Sequence, residues 1–178
     1  MGDNTDALSG TNRFHTTRLT VRDLRADDAE AVFGIWGDPE VMRYTSMDVI
    51  ESLDRARVVV ANLAARYGDD GLGWWAAAPI VGGPAVALCC LQRMPDGEEI
   101  EIGYYVRRDR WREGFGTEIA RGLIEHARVD LGLRRIVAVV RAENAASRRV
   151  LEKAGMRHAG TTDYRNGRPE KYVHEAGG

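Results

Sequence analysis

Residues 18–24, RLTVRDL, alternate apolar and polar side chains, and the stretch after them repeats its apolar positions every three to four residues. The first pattern predicts a strand with one buried face. The second predicts a helix that starts at Asp27 or Asp28 and carries Ala29, Val32, Phe33 and Trp36 on one side. DPEVMRY reads as a short helix, with Asp38 as its cap and Pro39 in its first turn. Leu53, Val59, Val60, Leu63 and Tyr67 mark a longer helix over 51–67, and the loop between these two helices is a candidate pocket wall.

Three apolar runs follow, WWAAAPI, AVALCCLQRM and EIEIGYYV, separated by Gly-Gly-Pro and Pro-Asp-Gly-Glu turn chemistry. They predict an antiparallel meander. A helix from Phe115 to about Leu131 carries Ile119, Leu123, Ala127 and Leu131 on one face and stops at Gly132. RRIVAVVRA has the unbroken apolar run of a strand buried on both faces. Asn144 then caps a helix ending at Gly155, and RHAGTTDY and PEKYVHEA form a closing hairpin through the turn RNGR. The order β-α-α-β-β-β-α-β-α-β-β predicts a three-layer α/β domain. Its sheet is mixed and mostly antiparallel, with one parallel βαβ crossover from 99–106 through the helix to 134–141.

Bulk properties narrow the function. The 178 residues fit one domain, and no apolar run reaches the roughly 20 residues of a membrane helix. A net charge of −2 leaves no general attraction to nucleic acid, so any anion site is local. Cys89 and Cys90 are adjacent in a strand and point to opposite faces, which predicts buried thiols in a reducing compartment. His15, His126, His158 and His174 lack metal-ligand spacing, so no metal is expected. Residues 1–14 carry no secretory pattern and are expected to be a flexible tail on a domain at 15–178, in a cytoplasmic protein.

The chemistry concentrates at the crossover, where WREGFGTE at 111–118 leaves a strand and opens a helix with Gly114 and Gly116. Glycines let a backbone approach a ligand closely, and helix N-termini attract anions. A dinucleotide fingerprint would need a third glycine where Ile119 stands, although Glu143 is placed for its acidic residue, and a Walker loop would need Gly-Lys-Ser/Thr. A loop that merely needs flexible glycines is the bland alternative.

The stretch VRRDRWREGFGTE at 106–118 resembles the acyl-coenzyme A loop of the GNAT acyltransferase superfamily. Val106, Gly114 and Gly116 fall at the spacing of its V-x-P-x-x-(Q/R)-x-x-G-x-(G/A) signature. Arg108 stands where the family often has proline and Trp111 where it has Gln or Arg. The tryptophan, TTRLTVRDLRADDAEAVFGIWGDPEVMRY and AENAASRRVLEKAGM look like the branch of ribosomal-protein N-terminal alanine and serine acetyltransferases. The resemblance implies direct acetyl transfer from acetyl-coenzyme A to a primary amine, with coenzyme contacts from Tyr104, Tyr105, Val106, Trp111, Arg112, Glu113, Gly114, Phe115, Gly116, Thr117 and Asn144. Of Arg107, Arg108, Arg110 and Arg112, one or two are expected on its phosphates.

Within this resemblance Glu101 is the candidate base, against the alternative of a solvated polar face shared with Glu99, Gly103 and Tyr105. The tyrosine that many relatives place seven residues beyond the asparagine is Leu151 here, so Ser147 is the candidate acid, against the role of a local capping partner. Trp36, Trp74 and Trp75 read as core, with Trp36 a candidate lining of the acceptor pocket. The expected partner is an amine, on a protein N-terminus or a small molecule, and the resemblance leaves room for a homodimer. Another acyl group such as succinyl, or a non-catalytic acyl-coenzyme A binding module, are the alternatives.

Overall fold

The computed structural model describes residues 11–67, 70–95, 97–164 and 167–175. Eight strands form one sheet in the order β1-β2-β3-β4-β5-β6-β8-β7: Asn12–His15 (β1), Leu19–Asp23 (β2), Gly73–Pro79 (β3), Ala87–Arg93 (β4), Ile100–Val106 (β5), Arg135–Val140 (β6), Arg157–Thr161 (β7) and Glu170–Glu175 (β8). Among the described residues five α-helices accompany it: Ala29–Trp36 (α1), Pro39–Met42 (α2), Leu53–Ala64 (α3), Phe115–Val129 (α4) and Ala145–Lys153 (α5). The expected three-layer mixed architecture is present. The parallel pair is β5 with β6, and the other neighbours run antiparallel.

Three expectations need correction. Asn12–His15, whose first three residues fall within the expected tail, instead form β1, an edge strand paired with β2. Residues 1–10 lie outside the described residues, as does part of the RNGR turn. Phe33 faces solvent at 37% exposure, and the buried stripe of α1 is Ala29, Val32, Ile35 and Trp36. Helix α3 stops at Ala64, three residues before Tyr67, whose hydroxyl instead accepts from the Leu24 amide at 2.9 Å and donates to the Trp74 carbonyl.

Strand alternation divides β5 between two cores. Ile100, Ile102, Tyr104 and Val106 pack toward α4 and α5, with Phe115, Ile119, Leu123 and Leu151. Tyr105 packs toward α1 and α3, with Val32, Trp36 and Val60. Cys89 and Cys90 are free and buried, and in β4 they point to opposite faces as expected.

The sheet opens at one place. Strand β4 follows β5 through seven register pairs, Ala87 with Val106 to Arg93 with Ile100, whereas β5 and β6 register only at Glu101 with Val137. Beyond that pair β5 and β6 share no further register pair among the described residues, which leaves this edge of β5 open. The Arg107 amide donates to the carbonyl of Val86, the residue just before β4, at 2.9 Å. Since antiparallel pairing alternates along a strand, the amides of Tyr104 and Val106 point away from β4 into the opening.

Candidate active site

The glycine loop lies at the end of β5, beside this opening. Arg112 has φ 67°, Gly114 has φ 85°, and α4 begins at Phe115. A non-glycine residue in the left-handed region is uncommon and costs on the order of 1 kcal/mol or more, and such strain gathers where a ligand must be met. The first turn of any helix leaves its amides without intrahelical acceptors, so 112–117 end in a set of donors at the positive pole of a 15-residue helix. A Cβ placed on Gly116 would meet Val150 at 3.5 Å and Tyr104 at 3.6 Å, which is ordinary contact. The chain's own packing therefore does not demand glycine there, in keeping with a close ligand. These features fit the pyrophosphate of a coenzyme.

Trp111 is 45% exposed and its indole N–H donates to the Val106 carbonyl at 2.8 Å. This ties the loop to the strand end and satisfies a carbonyl that would otherwise face the opening. Arg107 binds Asp109 through two bonds of 2.6 and 2.9 Å, Arg110 binds Glu113 at 2.9 Å, and Arg108 lies 3.8 Å from Asp38. Arg112 has no ion-pair partner among the described residues, which makes it the member of the four best placed to meet a phosphate. Asn144 caps α5 by accepting from the Ser147 amide at 3.1 Å. The Ser147 hydroxyl sits 2.8 Å from the hydroxyl of the half-buried Tyr104. Burial pushes Tyr104 well above the usual phenol range, against a smaller lowering by Ser147, so it stays protonated. Leu151 is sealed in the core at 1% exposure.

The other face of β5 is built differently. Glu101 is 6% exposed, so the solvated-face reading of this residue does not hold. Its carboxylate accepts from the Tyr164 hydroxyl at 2.9 Å and the Gln92 amide at 3.1 Å. Glu99, one pleat away, instead pairs with Lys171 and with Arg135 at 2.9 Å; burial alone would raise its pKa, and these cations lower it on balance. Tyr105, pushed up to about 12 mainly by burial, donates to Thr45 at 3.4 Å, in the loop expected to wall a pocket. Trp36 stands edge-on to Trp74 at 5.0 Å and to Tyr105 at 5.8 Å, inside an aromatic cluster rather than on an open surface. Gly34, Asp38, Arg107, Arg108 and Asp109 line an open cleft of about 680 Å³ between the end of α1 and the start of the glycine loop.

The opening thus brings the expected groups to one strand: Tyr104, Val106, Asn144 and Ser147 on the α4/α5 side, Glu101 and Tyr105 on the α1/α3 side. Sequence reasoning missed Gln92 and Tyr164 at Glu101. Gln92 arrives by the pairing of β4 with β5, 9 residues away, and Tyr164 from the β7–β8 connection, 63 residues away, and no local pattern marks either. Among the described residues no helix is long and apolar enough to cross a membrane, and no cluster of three or more His, Cys, Asp or Glu has metal-ligand proximity.

Known proteins resemble this chain in sequence and in fold. A domain model described as Acetyltransferase (GNAT) domain matches residues 18–157. An uncharacterized N-acetyltransferase, YoaA of Bacillus subtilis, is 32% identical over 162 residues, covering 86% of this chain and 89% of its own. RimJ of Mycobacterium smegmatis, solved with coenzyme A disulfide, superposes with a TM-score of 0.75 at 23% identity, over 90% of this chain and 87% of its own. An acetyltransferase from Agrobacterium tumefaciens reaches a TM-score of 0.79 at 20% identity, over 98% of this chain and all of its own. With its glycine loop, its opened sheet and a domain match over most of its length, this chain belongs to the GNAT family of acetyltransferases.

Proposed function

We propose that the protein transfers an acetyl group from acetyl-coenzyme A to a primary amine, directly and within a ternary complex. The observation that carries this reading is the opening between β5 and β6, with an anion cradle at its end and a buried carboxylate on its opposite face. Acetyl-coenzyme A supplies the activated thioester, and the loop 112–117 and Asn144 would hold it. The chain's own groups then divide three tasks. An ammonium cannot attack a carbonyl, so Glu101 takes a proton from it, directly or through water. The Tyr104 and Val106 amides, turned into the opening, are placed to stabilise negative charge on the thioester oxygen as the amine adds. Ser147, hydrogen-bonded to Tyr104, donates a hydrogen bond to the departing sulfur. The proton that the attacking nitrogen loses as the tetrahedral intermediate collapses goes to the leaving thiolate.

The cleft beside Asp38 and Arg107 is the route for the amine, and its mixed charges favour an acceptor with polar groups flanking the nucleophile. A protein N-terminus and a small polar amine both meet that description. Release of free thiol from acetyl-coenzyme A, followed across a panel of N-terminal peptides, amino acids, polyamines and aminoglycosides, tests the reading. Amine-dependent release is the expected result and names the acceptor class. Coenzyme A binding without release for any amine would favour the non-catalytic binding module, and faster release from succinyl-coenzyme A would change the acyl group.

A further inference from the structure

The glycine loop is bolted from outside its own motif by two residues far away in sequence, Thr16 and Arg18. Arg18 donates from its Nε to the Glu118 carboxylate at 2.7 Å and from a terminal nitrogen to the Glu113 carbonyl at 3.0 Å. Its guanidinium lies over the Phe115 ring, 4.2 Å from the ring centre. Glu118 is itself held by the Thr16 hydroxyl at 2.6 Å and the Arg18 amide at 2.8 Å. These partners lie 95 to 102 residues apart in the chain.

The consequence is geometric. In a trans peptide the C=O and the following N–H point in opposite directions. The 113–114 peptide is trans, so pinning the Glu113 carbonyl toward Arg18 turns the Gly114 N–H to the opposite side of the loop. Phosphate cradles need this polarity, with amides inward and carbonyls outward. Arg18 has a second effect. Glu118 is a carboxylate in the first turn of α4, where it would repel a bound anion, and the Arg18 guanidinium offsets that charge at close range.

We infer that Arg18 is a positioning residue for the coenzyme's pyrophosphate, setting the 113–114 peptide and neutralising Glu118. This rests on the reading of residues 112–117 as the coenzyme cradle. Lysine cannot replace it fully, because a single ammonium lacks the planar fork that reaches a carboxylate and a carbonyl together.

The test is calorimetric titration of coenzyme A into the full chain and its Arg18→Met variant, beside rates with S-acetylpantetheine, a donor that lacks the pyrophosphate and adenosine. Methionine keeps apolar contact with Phe115 while removing charge and donors. The expected result is a Kd for coenzyme A raised about tenfold or more, with kcat/KM for S-acetylpantetheine within about twofold of wild type. Unchanged coenzyme A affinity overturns the inference. So does an equal proportional loss with both donors, which would make Arg18 a general structural residue. Should Arg18→Met not fold, Arg18→Lys carries the same comparison and should weaken coenzyme A alone by about threefold or more. If wild type itself fails to bind coenzyme A, the cradle reading falls first, an outcome visible before any variant is made.

Discussion

The two faces of β5 are built by different means. Toward α4 and α5, the groups assigned to the coenzyme come from one loop and two helix starts: Arg112 and Gly114 shape the backbone, Gly116 leaves space, and Asn144 caps α5. Toward α1 and α3, Glu101 is held by Gln92 from β4 and Tyr164 from the segment before β8, and Tyr105 meets Thr45 from the α2–α3 connection. The first face depends on backbone conformation, which short spacings encode. The second depends on which side chains the folded sheet brings together. An enzyme that keeps one co-substrate while its acceptor varies would be built this way, with the constant partner gripped by main chain and the variable one by side chains.

If the faces are separable, damage to each should read out differently. The largest expected effect is on the coenzyme side. Gly116 lies in helical geometry with room for a Cβ, so Gly116→Val should leave the fold intact while displacing the pyrophosphate from the cradle. Loss of two charge-assisted hydrogen bonds predicts a coenzyme A Kd raised about 10²-fold or more by titration calorimetry. Gly114 is a poorer site for this test, because at φ 85° any β-branched residue adds strain of its own.

A smaller effect is expected at the departing sulfur, still on the α4/α5 face. Ser147→Ala should lower turnover about tenfold or more at every pH, and Tyr104→Phe should reproduce part of that loss, since the Tyr104 hydroxyl holds Ser147 at 2.8 Å. Combining them should cost little beyond Ser147→Ala alone. Additive losses in steady-state rates would break the link between the two hydroxyls.

Smaller again is the effect at Asn144. Removing its cap in Asn144→Ala should cost about 1 kcal/mol by chemical denaturation and weaken coenzyme A as well. A fall in stability with unchanged affinity would reduce Asn144 to a cap and shorten the list of groups on the coenzyme face.

How much of this was legible in the sequence follows the same division. The three layers, the meander and the crossover could be read because strand and helix periods and turn residues are local signals. The glycine loop and the Asn144 cap could be read for the same reason. The edge strand at Asn12–His15 was not, because it is short, follows a polar segment and is fixed by pairing with β2. Phe33 is expected on the buried side of α1, and Ile35 is not, because Ala29, Val32, Phe33 and Trp36 satisfy the helical spacing by themselves, and only packing against the sheet selects Ile35 instead. At the site, Glu101 was found in a strand, but nothing near it announced Tyr164 or Gln92, and nothing near Arg18 announced Glu113. Those contacts exist only once the sheet has formed.

The account's central claim, that β5 separates amine chemistry from coenzyme binding, is tested most directly by the pH–rate profile of Glu101→Gln measured beside its coenzyme A affinity. The account predicts turnover reduced about 10²-fold near neutral pH, coenzyme A affinity within about twofold of wild type, and a deficit that shrinks as pH rises. An alkyl ammonium with a pKa near 10 supplies its own neutral form at alkaline pH, so the base is needed less there. A profile parallel to wild type, or a loss of turnover matched by an equal loss of coenzyme affinity, would contradict it.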